Sequence, residues 1–117
     1  MTPNERTIHD YMEGFRRIDR ARVLACLTDE VIWYLPGYTL LAGKRGFDSE
    51  IENESFVGSP MFTVDRLIES ADTIVATGNG EAKQKTGEVH RFAFCDIFTF
   101  ADDLIARVES YVVPLEL

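Results

Sequence analysis

Residues 92–100 constrain the fold more than any other part of the sequence, because phenylalanine occupies four of the five alternate positions along them. Successive side chains of a β-strand point to opposite faces of the sheet, so the four phenylalanines share one face with Asp96. This period of two residues predicts a strand over residues 89–100 with one aromatic face.

A single carboxyl group, that of Asp96, interrupts this aromatic row. Burial of an unpaired charge is costly, so apolar neighbours favour the neutral acid and raise its pKa unless a hydrogen-bond donor offsets the effect. A carboxyl group with a raised pKa can act as an acid or a base near neutral pH. The pattern favours a pocket acid or base. The alternative is a structural carboxyl group bound to an arginine or a backbone amide.

The first part of the chain has helical patterns. Thr2 and Glu5 form a capping-box pattern around Pro3, and apolar residues then recur at helical spacing as far as Ile18. We predict helices over residues 3–18, about 20–27 and about 47–56, with a short strand over residues 31–35.

The remainder of the chain has strand patterns. We predict strands over residues 62–69, 73–83, 89–100 and 104–113, joined by short turns and therefore antiparallel. Helices that precede strands indicate the α+β class. We expect one domain over residues 1–117, in which three N-terminal helices pack on a curved, mainly antiparallel sheet and enclose a pocket.

Charge and composition restrict the partners. The net charge of −8 disfavours nucleic acids and anionic membranes, and no apolar run is long enough to predict a membrane-spanning helix. The polar N-terminus lacks the core of a signal peptide, and Cys26 and Cys95 are isolated, as in buried thiols of a cytoplasmic protein. His9 and Glu13 have a metal-ligand spacing but no third ligand nearby, so we predict neither a metal nor a cofactor.

The order of elements and four short motifs resemble the nuclear-transport-factor-two-like superfamily, in its SnoaL-like or ketosteroid-isomerase-like branch. Tyr11 precedes Asp19 by eight residues as in the first helix of the family. The other three matching features are residues 27–36, Gly43, and residues 95–100 followed by Ile105 and Tyr111. The resemblance implies a cone-shaped fold with a pocket. It does not imply one reaction, because this fold hosts enzymes, carriers and assembly domains.

The resemblance also implies roles for two residues. Tyr11 and Asp96 fall where the steroid isomerases keep a tyrosine and a protonated aspartate that donate hydrogen bonds to a developing enolate oxygen. The isomerase base falls at Leu35, so that base is absent here. The SnoaL-like cyclases are closer in kind, since a lone strand carboxylate can serve there as the acid–base catalyst. The Asp-Arg-Asp network of the epoxide hydrolases is not matched, because Arg91 points to the other face of its strand.

We therefore predict Asp96 and Tyr11 as catalytic residues. The predicted ligand-binding residues are Phe15, Trp33, Leu35, Phe94, Phe98 and Ser110. The first functional hypothesis is an isomerase- or cyclase-type enzyme that transfers a proton on a small, apolar, oxygenated molecule. The second is a non-catalytic ligand-binding or dimerisation module of the same fold.

The opposite face of the predicted strand suggests self-association. Its side chains are small or apolar, and a monomer would leave them as an exposed patch. They belong to Val89, Ala93, Cys95, Ile97 and Thr99. The family resemblance implies a homodimer through this outer sheet face.

Overall fold

The computed structural model describes residues 1–51 and 56–115, except for the side chains of residues 56–60. The helices are α1 (Pro3–Arg17), α2 (Arg20–Leu24) and α3 (Gly43–Ile51). The strands are β1 (Leu27–Leu35), β2 (Thr39–Ala42), β3 (Phe56–Ser70), β4 (Thr73–Gln84), β5 (Val89–Ala101) and β6 (Leu104–Pro114).

The strands form one curved sheet in the order β2-β1-β6-β5-β4-β3. Neighbouring strands are antiparallel, with the exception of the parallel pair β1–β6. The helices pack on one face of this sheet. The predicted α+β class and the curved, mainly antiparallel sheet are confirmed.

Local sequence signals determine both ends of α1. The backbone N–H of Glu5 donates to Thr2 Oγ1 at 3.1 Å, and the backbone N–H of Thr2 donates to Glu5 Oε1 at 3.4 Å, which completes the predicted capping box. Ile18 ends the helix in the left-handed region at a φ of 51°. Asp19 then caps α2 by accepting from the backbone N–H of Arg22 at 3.1 Å.

Several boundaries differ from those predicted, and β1 and β3 begin earlier, at Leu27 rather than residue 31 and at Phe56 rather than residue 62. The second helix ends at Leu24 because β1 begins at Leu27, whose partner in the sheet is Ile105. The third helix begins at Gly43, and Phe56 lies in β3 rather than in that helix; residues 52–55 lie outside the described residues. β2 was not predicted, because its four residues form a strand only by pairing with β1.

The aromatic row of β5 is buried at one end only. Phe98 and Phe100 are buried in the core, whereas Phe94 and Asp96 are only partly buried. Phe47 of α3 is among the fully buried core residues, as are Ile8, Val23, Leu27, Val31, Ile74, Ile105 and Val108. The core therefore ends at Asp96, and the rest of the row faces a cavity.

Candidate active site

A cavity of about 270 Å³ lies between α1 and the inner face of the sheet. Its wall is mainly apolar and aromatic. The lining residues are Tyr11, Met12, Phe15, Trp33, Leu35, Phe62, Phe92, Phe94, Asp96, Ser110 and Val112. A mainly apolar wall with a few polar groups is an arrangement that orients a small ligand.

The sheet register places Asp96 beside Ser110 of β6 on one side and Ala76 of β4 on the other. Further along β5, Phe94 lies opposite Gly78 and Phe92 lies opposite Gly80. A Cβ atom at Gly78 would lie 2.9 Å from the Phe94 ring, and one at Gly80 would lie 2.8 Å from the Phe92 ring. The two glycines therefore allow these aromatic rings to lie close against β4.

The environment of Asp96 matches the prediction of a perturbed carboxyl group. Burial raises the pKa of Asp96 from 3.8 to about 6, and a hydrogen bond from Ser110 lowers the pKa and partly offsets that effect. Within the part of the chain that the structure describes, no arginine forms an ion pair with Asp96. Among these residues, Asp96 is therefore not a structural carboxyl group bound to an arginine.

A hydrogen bond joins Trp33 to Ser110, the neighbour of Asp96 in the sheet. Trp33 Nε1 donates a hydrogen bond to Ser110 Oγ at 2.9 Å. An indole N–H is only a donor, so the hydroxyl proton of Ser110 remains available for the Asp96 carboxylate. The hydrogen bonds therefore run in one direction, from Trp33 through Ser110 to Asp96.

Tyr11 presents a hydroxyl group to the same cavity. Its ring packs edge-on against Phe15, Phe47 and Phe98, at centroid distances of 5.0, 6.0 and 5.3 Å. Burial and the negative charge of Asp96 raise the pKa of Tyr11 well above 10, so the phenol keeps its proton at neutral pH. Its hydroxyl group has no hydrogen-bond partner among the described residues, Asp96 included. The proton of Tyr11 is therefore available to a ligand.

The predicted lining residues divide into two groups. Phe15, Trp33, Leu35, Phe94 and Ser110 lie on the cavity wall with Tyr11 and Asp96. Phe98 shares their strand face but not the cavity, and the prediction that it lines the pocket is wrong. Its side chain is fully buried because the Tyr11 ring packs against it.

Four wall residues were missed by the sequence analysis. They are Met12, Phe62, Phe92 and Val112. The period of two residues could have identified Phe92, which belongs to the aromatic row, and Val112, which follows Ser110 on the same face. Phe62 reaches the wall because it pairs with Gly80, whose other neighbour is Phe92. That register is not visible in the sequence.

The described part of the chain contains no cluster of three or more potential metal ligands. None of its helices is both long and apolar enough to cross a lipid bilayer.

A family model for SnoaL-like domains matches residues 8–108. The chain belongs to the SnoaL-like domain family. The matched segment includes both Tyr11 and Asp96, and it ends two residues before Ser110. No curated protein sequence matches this SnoaL-like domain.

Solved structures share the fold of this SnoaL-like domain. An NTF2-like protein of unknown function from Burkholderia pseudomallei superposes with a TM-score of 0.86 at 24% identity, covering 94% of this chain and 90% of that chain. An LEH-like epoxide hydrolase from M. tuberculosis superposes with a TM-score of 0.83 at 16% identity, covering 95% of this chain and 83% of that chain. A putative ketosteroid isomerase from Kribbella flavida superposes with a TM-score of 0.77 at 16% identity, covering 98% of this chain and 81% of that chain. At these identities the likeness establishes the fold alone.

Proposed function

We propose that this SnoaL-like domain binds a small, apolar, oxygenated molecule and catalyses an isomerase- or cyclase-type proton transfer on it. One observation carries the proposal. The same aromatic cavity contains a carboxyl group with a pKa of about 6 and a tyrosine hydroxyl without a partner among the described residues. Paired groups of this kind can perform acid–base chemistry near neutral pH.

The two groups have complementary roles. At pH 7 a carboxyl group with a pKa of about 6 is mostly ionised, so Asp96 acts first as a base and removes a proton from carbon next to a carbonyl group. The electron pair moves onto the carbonyl oxygen, which accepts a hydrogen bond from Tyr11. Asp96 then returns the proton to another carbon in an isomerisation. In a cyclisation the enolate carbon attacks a second carbonyl carbon of the ligand, the π bond of that carbonyl breaks onto its oxygen, and this oxygen takes the proton from Asp96.

Among the solved structures with this fold, one is called a putative ketosteroid isomerase and another an LEH-like epoxide hydrolase. The cavity favours the first kind of chemistry over the second. Asp96 is the only carboxylate among the residues that line the described cavity, and Arg91 is not among them. An Asp-Arg-Asp network that activates water is therefore not supported.

The alternative function is ligand binding without catalysis. Leu35, which falls at the position of the isomerase base, lies on the wall and carries no titratable group. The absence of a base at this position favours a binding module, in which Asp96 only accepts a hydrogen bond from the ligand.

Hydrogen–deuterium exchange separates the two functions without knowledge of the product. Apolar ketones and lactones are incubated with the protein in D2O, and deuterium uptake next to the carbonyl group is followed by mass spectrometry. Binding is measured in parallel through the fluorescence of Trp33, the only tryptophan of the chain. We expect Asp96→Asn to lower the exchange rate at least about a hundredfold, since general acid–base catalysis contributes that much or more. Binding of a ligand without catalysed exchange of its protons would support the non-catalytic alternative.

Two tyrosine-to-phenylalanine substitutions, one inside the cavity and one outside it, provide the control. We expect Tyr11→Phe to slow exchange, because the developing oxyanion loses its donor. Tyr34→Phe removes the same hydroxyl group from a tyrosine that lies on β1 next to Trp33, where the Arg107 guanidinium packs over its ring at 5.7 Å, and that does not line the cavity. Equal effects of the two substitutions would contradict the role of Tyr11.

We also propose that the domain forms a homodimer through the outer face of its sheet. Exposed apolar side chains on this face include Tyr111, Val113, Leu40 and Ile68, with 42, 59, 57 and 53% of their surface accessible. Cys95 and Ile97 lie between them on β5. A second copy of the same face would remove this apolar surface from water.

A further inference from the structure

The core closes the Asp96 cavity at one end. Phe98 follows Asp96 on the inner face of β5, and its partners in the sheet are Val108 of β6 and Ile74 of β4. All three of these apolar side chains are fully buried. The Tyr11 ring packs against Phe98 at a centroid distance of 5.3 Å. Phe98 and its neighbours therefore form a closed floor next to Asp96.

The polar groups of the cavity lie directly above this floor. Asp96 is paired with Ser110 in the sheet, and both line the cavity with Tyr11. Burial and the negative charge of Asp96 raise the pKa of Tyr11, which indicates that these two groups are close to each other. Tyr11 and Ser110 are only 4 and 6% exposed. The polar groups therefore occupy the buried end of the cavity.

Further from the floor, the inward-facing residues of β5 and β6 are apolar. The pair that follows Asp96 and Ser110 is Phe94 with Val112, and the next pair is Phe92 with Pro114. Each pair lies two residues further along the strands, or about 7 Å. Exposure increases in the same direction, from 6% at Ser110 to 51% at Val112. The mouth of the cavity is therefore apolar.

This order of layers restricts the shape of a ligand. A carbonyl group that lies beside Asp96 and accepts a hydrogen bond from Tyr11 has the floor on its other side. Protein interiors are close-packed, so Phe98 leaves little space there for a second substituent. A large substituent can extend only toward the mouth, where the apolar wall removes it from water.

We propose that the site selects molecules whose carbonyl group lies at one end of the carbon skeleton, and that Phe98 enforces this selection. The single apolar arm of the ligand then extends along Phe94 toward Val112. The inference rests on the proposed function, since it assumes that the carbonyl group lies between Asp96 and Tyr11. It narrows the ligand class to methyl ketones and to ring ketones without large substituents next to the carbonyl group.

Two isomeric ketones test this selection. The carbonyl group of 2-nonanone is next to a methyl group, whereas that of 5-nonanone lies between two butyl groups. Dissociation constants for both are measured at pH 7 through the fluorescence of Trp33, which lies on the cavity wall. With one arm in the cavity, 2-nonanone buries three more methylene groups, and each changes the affinity by up to about fourfold. We expect 2-nonanone to bind at least about tenfold more tightly.

Phe98→Ala opens the floor, and Phe100→Ala is its matched control. Both substitutions remove a buried ring from the same row of β5, but Phe100 lies two residues further from Asp96. An apolar space left by a missing ring can accept part of an apolar ligand, so we expect the affinity ratio of the two ketones to fall below about threefold in Phe98→Ala. In Phe100→Ala the ratio should stay within about twofold of the parent value. Phe98→Leu removes less volume and should lower the ratio by less, which provides a second test if Phe98→Ala does not fold.

The outcomes separate this inference from the function on which it rests. An affinity ratio close to one in the parent protein, with both ketones bound, would overturn the selection and leave the binding cavity intact. An unchanged ratio in the Phe98 variants, or equal changes in Phe98→Ala and Phe100→Ala, would overturn the role of Phe98. Failure of both ketones to change the fluorescence of Trp33 would contradict the apolar binding cavity, and the inference with it.

Discussion

The substitution Asp96→Asn tests whether the folded protein disfavours a charge at this position. Burial raises the pKa of Asp96 from 3.8 to about 6. A change of this size corresponds to about 3 kcal/mol between the ionised and neutral forms. An asparagine has nearly the same shape and can still accept the hydrogen bond from Ser110, but it never carries the charge.

The size of the effect depends on pH. The folded-state pKa of Asp96 lies above the unfolded value, so the folded protein binds more protons between about pH 4 and 6. The contribution of the neutral acid to the free energy of unfolding is therefore fully present below about pH 4 and is lost as the pH rises through 6. Asp96→Asn lacks this titration. Its free energy of unfolding relative to the parent should rise between these limits and level off above pH 7, by up to about 3 kcal/mol.

Urea unfolding followed by far-ultraviolet circular dichroism measures this difference. Parent and variant are compared at one protein concentration from pH 4 to 8, because self-association would otherwise shift the apparent stability. Asp29→Asn, at a side chain that is 97% exposed, controls for the loss of a carboxylate outside a cavity. A difference that is flat across this range, or a variant that becomes less stable relative to the parent as pH rises, would refute desolvation of Asp96.

Three further expectations concern other parts of the structure. Ser110→Ala should raise the pKa of Asp96 further, because it removes the hydrogen bond that lowers it, and the pH midpoint of the stability difference described above should move upward. Asp103→Gly should stabilise the β5–β6 turn by about 0.5–1 kcal/mol in urea unfolding, since Asp102 and Asp103 both have positive φ angles; an unchanged or lower stability would contradict this reasoning. Ile97→Arg on the outer sheet face should convert a dimer into a monomer in light scattering, whereas a parent protein that is already monomeric at micromolar concentration would contradict the proposed homodimer.

The sequence alone determined the elements that rest on local physics. The capping box around Pro3, the break at Ile18 and Asp19, and the tight turn at residues 102–103 depend on neighbours within a few residues. Alternation along β5 likewise predicted one aromatic row interrupted by a carboxyl group. Such features were predictable because their energies depend on nearby residues.

Only the tertiary structure decided which part of that row lines a cavity. Phe98 and Phe94 are equivalent in the strand pattern, yet α1 places Tyr11 on Phe98 and leaves Phe94 on the cavity wall. The parallel pairing of β1 with β6 brings Trp33 within hydrogen-bond distance of Ser110, although they are 77 residues apart in sequence. These contacts depend on strand register and helix placement, which reflect packing of the whole chain rather than any local pattern.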